Sequence, residues 1–230
     1  VSVMTAPGHG VCHLWQVSVD ERPRQLRLPE SDRRHIALMR TDEARAIAEA
    51  SRWATRQVLA HYVDALPEEL PIVRPHVSGS GTGRPHLRDR DVDFSVANTH
   101  EHVMVAVVGA GLVGVDTESS RALRMSESVA SAICSASEWA GFEAYDGDRR
   151  RVEVLRLFCR KEAVLKLLGT GLATDPRTVD VAGPIARLGP DPSWAATTTI
   201  HLTDLSHGPM GAIATTSSLA AVHVFDGAAL

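Results

Sequence analysis

Apolar residues along this chain follow two rhythms, one of period two and one near 3.6, and together they mark out strands and helices. Val11 to Val19 alternate enough for a strand that packs through Leu14, Val17 and Val19. Thr41-Asp42-Glu43 opens a helix with acidic residues in its first turn, and Ile47, Ala54, Val58 and Tyr62 carry it to about residue 62. Val92, Phe94 and Val96 alternate with Asp93, Ser95 and Ala97. After Asn98-Thr99-His100-Glu101-His102 the run Val103 to Val108 is apolar throughout, which predicts a hairpin. A turn at Gly109-Ala110-Gly111 returns the chain as another strand that ends Gly114-Val115-Asp116-Thr117-Glu118. Helices are predicted over 125–142, through Val129, Ile133 and Ala136, and over 155–168, closed by Gly169. Short strands at 179–181, 197–202 and 220–224 are expected as edges of the later part of the chain, and residues 1–10 as a frayed end.

Two of these elements carry chemistry. Successive side chains on a strand alternate faces, so Asp116 and Glu118 share one, roughly 6–7 Å apart, and Gly114 leaves room on it. Like charges so placed repel unless a cation lies between them, and a hard ion such as Mg²⁺ prefers oxygen ligands; a solvated strand end is the plainer alternative. On the 155–168 helix, Leu155, Cys159, Glu162 and Lys166 form a line beside the stripe of Phe158, Leu165 and Leu168. Glu162 is then either a surface partner of Lys166 or a carboxylate aimed at a buried ligand. Pro67, Pro71 and Pro75 mark a connection into the glycine-rich Ser78 to His86, which lacks the Gly-Lys-Ser/Thr of a Walker loop. Arg22, Arg24, Arg27, Arg33 and Arg34 form a basic stretch that reads as a solvated face. His100 and His102 read as exposed hairpin-tip residues rather than a metal pair.

Composition narrows the classes. The 230 residues are 44% hydrophobic and carry a formal net charge of −4, which suits an ordinary globular enzyme and gives no polyanion-binding signature, so nucleic acid is not expected as a partner. Cys12, Cys134 and Cys159 are odd in number and lack C-x-x-C spacing, which points away from disulfides or structural zinc and toward a reducing cytoplasm. No apolar run approaches the ~20 residues that span a bilayer, and no basic-then-apolar leader pattern opens the chain, so a cytoplasmic protein with no membrane association is expected.

Gly114-Val115-Asp116-Thr117-Glu118, followed about forty residues later by Phe158-Cys159-Arg160-Lys161-Glu162-Ala163-Val164-Leu165-Lys166, resembles the paired signature of the 4′-phosphopantetheinyl transferases, G-[VI]-D-x-E and [FW]-x-x-K-E-[SA]-x-x-K. The length resembles the longer, surfactin-type branch. The resemblance implies an α+β fold with pseudo-twofold symmetry, its two similar halves (1–108 and 109–230) enclosing the active site in a cleft, in a chain that acts as a monomer. It implies that Asp116, Glu118 and Glu162 hold Mg²⁺ on the pyrophosphate of coenzyme A, and that Lys161 and Lys166 add positive charge. In that family the region equivalent to the basic stretch at 22–34 also supplies contacts to coenzyme phosphates, with no one of these arginines singled out. Ser51-Arg52 resembles an A-R stretch whose arginine contacts a coenzyme phosphate. Gly83-Arg84-Pro85 resembles a G-[KR]-P stretch beside the nucleotide. Phe94 to Thr99 resembles F-N-[IL]-S-H-[ST], with Ala97 and Asn98 where serine and histidine are usual, so Asn98 and Thr99 are expected at the nucleotide but with less charge. Glu138 falls on the glutamate of an S-x-x-E stretch, either steadying the site or lying on a helix surface.

The reaction so implied moves 4′-phosphopantetheine from coenzyme A to a serine of an apo acyl- or peptidyl-carrier domain, as in polyketide and nonribosomal-peptide synthesis, and releases adenosine 3′,5′-bisphosphate. Glu162, or a metal-bound water beside it, is the candidate base. Two other readings stay open: a Mg²⁺-dependent nucleotide or phosphoester hydrolase, and a catalytically silent homologue that only binds carrier domains.

Overall fold

Burial of the apolar faces gives a layered molecule, and the layers explain where the polar strand ends emerge. The computed structural model describes residues 3–21, 27–77, 81–88, 91–119, 127–190, 199–206 and 209–229; Arg22, Arg24, Ser78 to Ser80, and Thr197 and Thr198 lie outside them. In chain order the main elements are β1 (Val11–Ser18), α1 (Glu30–Ala37), α2 (Asp42–Ala60), β2 (Asp93–Asn98), β3 (His102–Val108), β4 (Val113–Glu118), α3 (Glu127–Ile133), α4 (Ala136–Phe142), α5 (Gly147–Leu168), β5 (Val179–Asp180), β6 (Ile185–Leu188), β7 (Ile200–Asp204), β8 (Met210–Thr215) and β9 (Ala221–Asp226). Helix and sheet are mixed, as expected of an α+β protein.

Among the described residues the long strands form two sheets, ordered β9-β1-β3-β2 and β4-β8-β7-β6-β5. One connectivity occurs twice. In β1–α2–β2–β3 and again in β4–α5–β7–β8, the first strand pairs antiparallel with the last, which in turn pairs with the hairpin strand before it. Alternation sorts the side chains into layers. Trp15, Val17, Phe94, Val103, Val105 and Val107 join α2 in one core, and Cys12, Leu14, Met104 and Ala106 on the opposite face meet Val113, Val115 and Ile213 of the second sheet. Ala212 and Ala214 then pack with Ala163, Val164 and Leu167 of α5, so the order through the molecule is α2, sheet, sheet, α5.

Local signals account for the ends of the helices. Thr41 caps α2 by accepting the Ala44 N–H at 3.1 Å. Gly169, at φ 73°, closes α5 in the left-handed conformation that glycine adopts without strain. Gly114 serves a different purpose, because a Cβ there would lie 1.9 Å from the Ala163 carbonyl oxygen. The room it leaves on the carboxylate face is filled by the backbone of α5.

Three expectations change. The predicted 125–142 helix is two helices within the described residues, because Ser135 starts α4 with a capping box closed by Glu138. The basic stretch contains a helix, α1, whose Asp32 is buried. The strand expected near 220–224 as an edge of the later part of the chain is β9, which runs parallel to β1 and so extends the sheet built from the early elements.

Candidate functional site

The two sheets meet where β2 lies beside β4, and side chains rather than a ladder join them. The Val113 N–H donates to Asp93 Oδ2 at 2.8 Å and the Val115 N–H to Ser95 Oγ at 3.0 Å. The carbonyls of the same two residues accept from Arg84 Nη2 at 2.8 Å and Lys166 Nζ at 3.1 Å. Buried backbone groups must be paired, and here four side chains supply what a neighbouring strand would otherwise give. Two of the four, Arg84 and Lys166, were expected at the coenzyme.

The carboxylates gather at the end of β4. Asp116 is 6% exposed, and its Oδ1 accepts from Lys166 Nζ at 2.7 Å. Its Oδ2 is buried without a partner. Burial pushes the Asp116 carboxyl above the usual range despite the opposing lysine. Burial, then the charge of Asp116, raises Glu118 and Glu162 as well. Cys159 sits under this group, its thiol pushed up by burial and by the same carboxylates. The line read from the sequence, Leu155, Cys159, Glu162 and Lys166, thus faces β4. Among the described residues no three His, Cys, Asp or Glu side chains stand together as a ready metal site. The donor set nevertheless fits a hard divalent cation: an orphaned buried oxygen beside two further carboxylates that destabilise one another's charge.

A cavity of about 290 Å³ opens over the seam, lined by Arg52, Arg74, Arg84 and Lys166 together with Gly83, Pro85, Phe94, Ser95 and Val96. Its cations are unequally committed. Arg84 forms a two-pronged ion pair with Asp93 and reaches the Val113 carbonyl, while Lys166 holds Asp116. Arg52 and Arg74 share buried Asp32 with Arg56: Arg56 Nε donates to Asp32 Oδ2 at 2.7 Å, whereas Arg74 Nη1 and Arg52 Nε stand 3.4 and 3.8 Å from Oδ1. A second cavity of about 400 Å³ adjoins through Arg52 and Val96 and is mostly apolar, lined also by Met39, Ile47, Ala48, Ser51 and Asn98.

Asp116, Glu118, Glu162 and Lys166 are therefore together, and Arg52, Gly83, Arg84 and Pro85 line the adjoining cavity. Asn98 lies at the second cavity. Thr99 is buried with its Oγ1 accepting the Glu101 and His102 N–H groups at 3.1 Å each, so it holds the hairpin turn. Lys161 is not brought to the carboxylates. It is 1% exposed, pairs with Glu138 Oε2 at 2.6 Å and donates to the carbonyls of Pro176 and Val179. Consecutive residues on a helix diverge by about 100°, so Glu162 can face β4 only if Lys161 faces elsewhere. Glu138, left open by the sequence, is buried and also accepts the N–H groups of Ser135 and Val181 at 2.8 and 2.7 Å.

Sequence reasoning missed Asp32 and Arg74. Asp32 lay in a stretch read as solvated, and Arg74, between Val73 and Pro75, carries no local signal. The role of Glu138 was more accessible, since Ser135-x-x-Glu138 is a capping-box pattern.

Residues 112–206, which span the β4 carboxylates and α5, match a family model described as the 4′-phosphopantetheinyl transferase superfamily. The chain is also similar to a protein of Synechocystis sp. whose name provisionally assigns it as a 4′-phosphopantetheinyl transferase, at 27% identity over 125 residues, covering 53% of this chain and 49% of that protein. The chain thus aligns with about half the length of that curated relative.

Proposed function

We propose that this chain, whose residues 112–206 match a family model of the 4′-phosphopantetheinyl transferase superfamily, transfers the 4′-phosphopantetheine of coenzyme A to a serine of an apo acyl- or peptidyl-carrier domain, releasing adenosine 3′,5′-bisphosphate. The observation that carries this reading is the continuity of one cavity from the Arg52–Arg74 end to Lys166, which sits on Asp116. A ligand with several phosphates needs such a row of cations, and a transfer step needs carboxylates at one end of it.

Asp116, Glu118 and Glu162 would hold Mg²⁺, and the chemistry it would supply there is neutralisation of pyrophosphate charge. Lys166 contributes fixed positive charge at the same place, and its bonds to Asp116 Oδ1 and the Val115 carbonyl keep it there. Glu162, kept from ionising easily by burial and Asp116, is suited to take the proton of the attacking serine hydroxyl. Gly83 and Pro85 border the cavity where a nucleotide would lie, with Asn98 at its apolar extension. Lys161 acts indirectly, by fixing the rotation of α5 through Glu138. We place the enzyme in the cytoplasm as a monomer, serving carriers of polyketide or nonribosomal-peptide assembly.

Intact mass of a purified apo-carrier domain after incubation with the protein, coenzyme A and Mg²⁺ tests the proposal. A gain of about 340 Da, abolished by EDTA, is expected for Mg²⁺-dependent transfer of phosphopantetheine. Asp116→Ala should lower the rate by at least ~10²-fold without unfolding the chain. Coenzyme consumption without a carrier would point instead to hydrolysis, and unmodified carriers of both classes with coenzyme intact to a binding homologue.

A further inference from the structure

A further cavity opens at one end of the first sheet, on the face that elsewhere meets the second. On β1 the side chains of Cys12, Leu14, Gln16 and Ser18 share that face by period two, and the register sets Val224 and Asp226 of β9 and Met104 and His102 of β3 beside them. Val113, Val115 and Ile213 of the second sheet pack on Cys12, Leu14 and Met104. Beyond these residues on the same face, Gln16, Ser18, His102, Val224 and Asp226, with Glu21 from the turn after β1, enclose about 440 Å³. None of them lines either cavity beside the β4 carboxylates, and the turn held by Thr99 separates His102 from Asn98.

The walls are fixed and negatively charged. Phe225, which also lines the cavity, is stacked on Trp15 with 4.8 Å between ring centroids. Gly227 brings the end of β9 so close to β1 that a Cβ there would lie 2.5 Å from Val17 Cγ2. Glu21 Oε2 accepts the Ser18 N–H and Asp226 Oδ1 the Ala228 N–H, both at 3.0 Å, so the backbone orients both carboxylates. Among the described residues no lysine or arginine lines the cavity to neutralise them. His102, read from the sequence as an exposed tip residue, is partly buried, and its Nδ1 is buried with no hydrogen-bond partner. A ring nitrogen in that position is a cost that a donor on a ligand removes.

Two carboxylates, an unpartnered ring nitrogen and the apolar surface of Val224 and Phe225 call for a ligand with positive charge, N–H donors and methylene groups. Glu21, Asp226 and His102 do not converge as a metal cage would, so the charge they fit is spread along a chain. We propose that this cavity binds a linear diammonium ion, a short polyamine. One ammonium group is shared by Glu21 and His102, which meet through Ser18, and the other pairs with Asp226, while the methylenes lie against Val224 and Phe225. The inference is independent of the coenzyme reading, because it uses no residue of that site.

Amide NMR spectra of the intact chain, titrated at low salt with diaminobutane, butylamine and butanol, test the proposal. Diaminobutane should give saturable shifts centred on Ser18, His102 and Asp226 and bind about fivefold more tightly than butylamine, the size of one further exposed ion pair. Butanol should give no saturable shift, and added salt should weaken the diamine more than the monoamine. Asp226→Asn should bring the diamine down to the butylamine affinity, and Glu21→Gln makes the same test from the other wall. Asp148→Asn, a change to an exposed carboxylate on α5, should alter nothing. Equal binding of diamine and monoamine, undiminished diamine affinity in both wall variants, or saturable shifts only elsewhere in the chain overturns the proposal. So does saturation of the same shifts by Mg²⁺ or Zn²⁺, which would make the cavity a metal site.

Discussion

At the scale of single residues, Asp116, Glu118 and Glu162 are carboxylates held above their usual pKa. Ionised Glu162 is disfavoured by burial and by Asp116, so the folded chain retains its proton to higher pH than the unfolded chain. The ionised form therefore costs stability, fully above the folded-state pKa, and the cost fades as pH falls through it. Glu162→Gln removes that cost. In metal-free solution the variant should melt above the wild type at pH 8, with the gap closing as the pH is lowered toward 5. Mg²⁺ at pH 8 should stabilise the wild type more than the variant. A gap independent of pH, or equal stabilisation by Mg²⁺, would count against the site assignment. If Asp116, Glu118 and Glu162 hold a cation as proposed, protons compete with it, so at sub-saturating Mg²⁺ the acid limb of transfer should lie above the ordinary carboxylate range and should move to lower pH as Mg²⁺ is raised.

At the scale of elements, α5 is set in place by contacts that point away from the site. Arg160 grips Asp204 with two bonds of 2.6 Å and donates to the carbonyls of Val181 and Gly183, while Lys161 engages Glu138 and the carbonyls of Pro176 and Val179. Lys161→Met strands the Glu138 charge in the core and should cost about 3–5 kcal/mol in chemical denaturation. Adding Glu138→Gln should recover much of that loss. If the double variant is as unstable as the single, the ion pair is not the reason Lys161 matters. Gly114→Ala acts on the opposite face of the helix, where a Cβ meets the Ala163 carbonyl and the Leu167 N–H. Overpacking of that kind should destabilise by about 1–3 kcal/mol. Transfer should fall further than stability explains, because α5 carries Glu162 and Lys166.

At the scale of the whole molecule, two sheets of repeated connectivity are joined along β2 and β4. The join is a set of side-chain bonds, so it can be weakened piece by piece. Asp93→Ala leaves Arg84 and the Val113 N–H without their partner and should cost about 3 kcal/mol, whereas Ser95→Ala removes one bond to Val115 and should cost about 1 kcal/mol. Hydrogen exchange at Val113 and Val115 should rise in each case, and unaltered exchange would show that the seam does not depend on these side chains.

Much of this was present in the sequence, for reasons that are local. Alternation along residues 93–108 and 113–118 decides which side chains share a face, and Asp116 and Glu118 share theirs in the structure because a strand has period two. Helical spacing placed Cys159, Glu162 and Lys166 on one line, and Gly169 ended the helix where only its φ was easy. Other features are products of packing. Nothing near Lys161 in the chain shows that it turns into the core, because its partner Glu138 lies on another helix. The burial of Asp32 among Arg52, Arg56 and Arg74 joins three separate segments, and the return of β9 to β1 joins residues near both ends of the chain. Local patterning thus determined the elements and the faces they present, while the balance of charge at the cavity depends on distances between segments that only the folded chain sets.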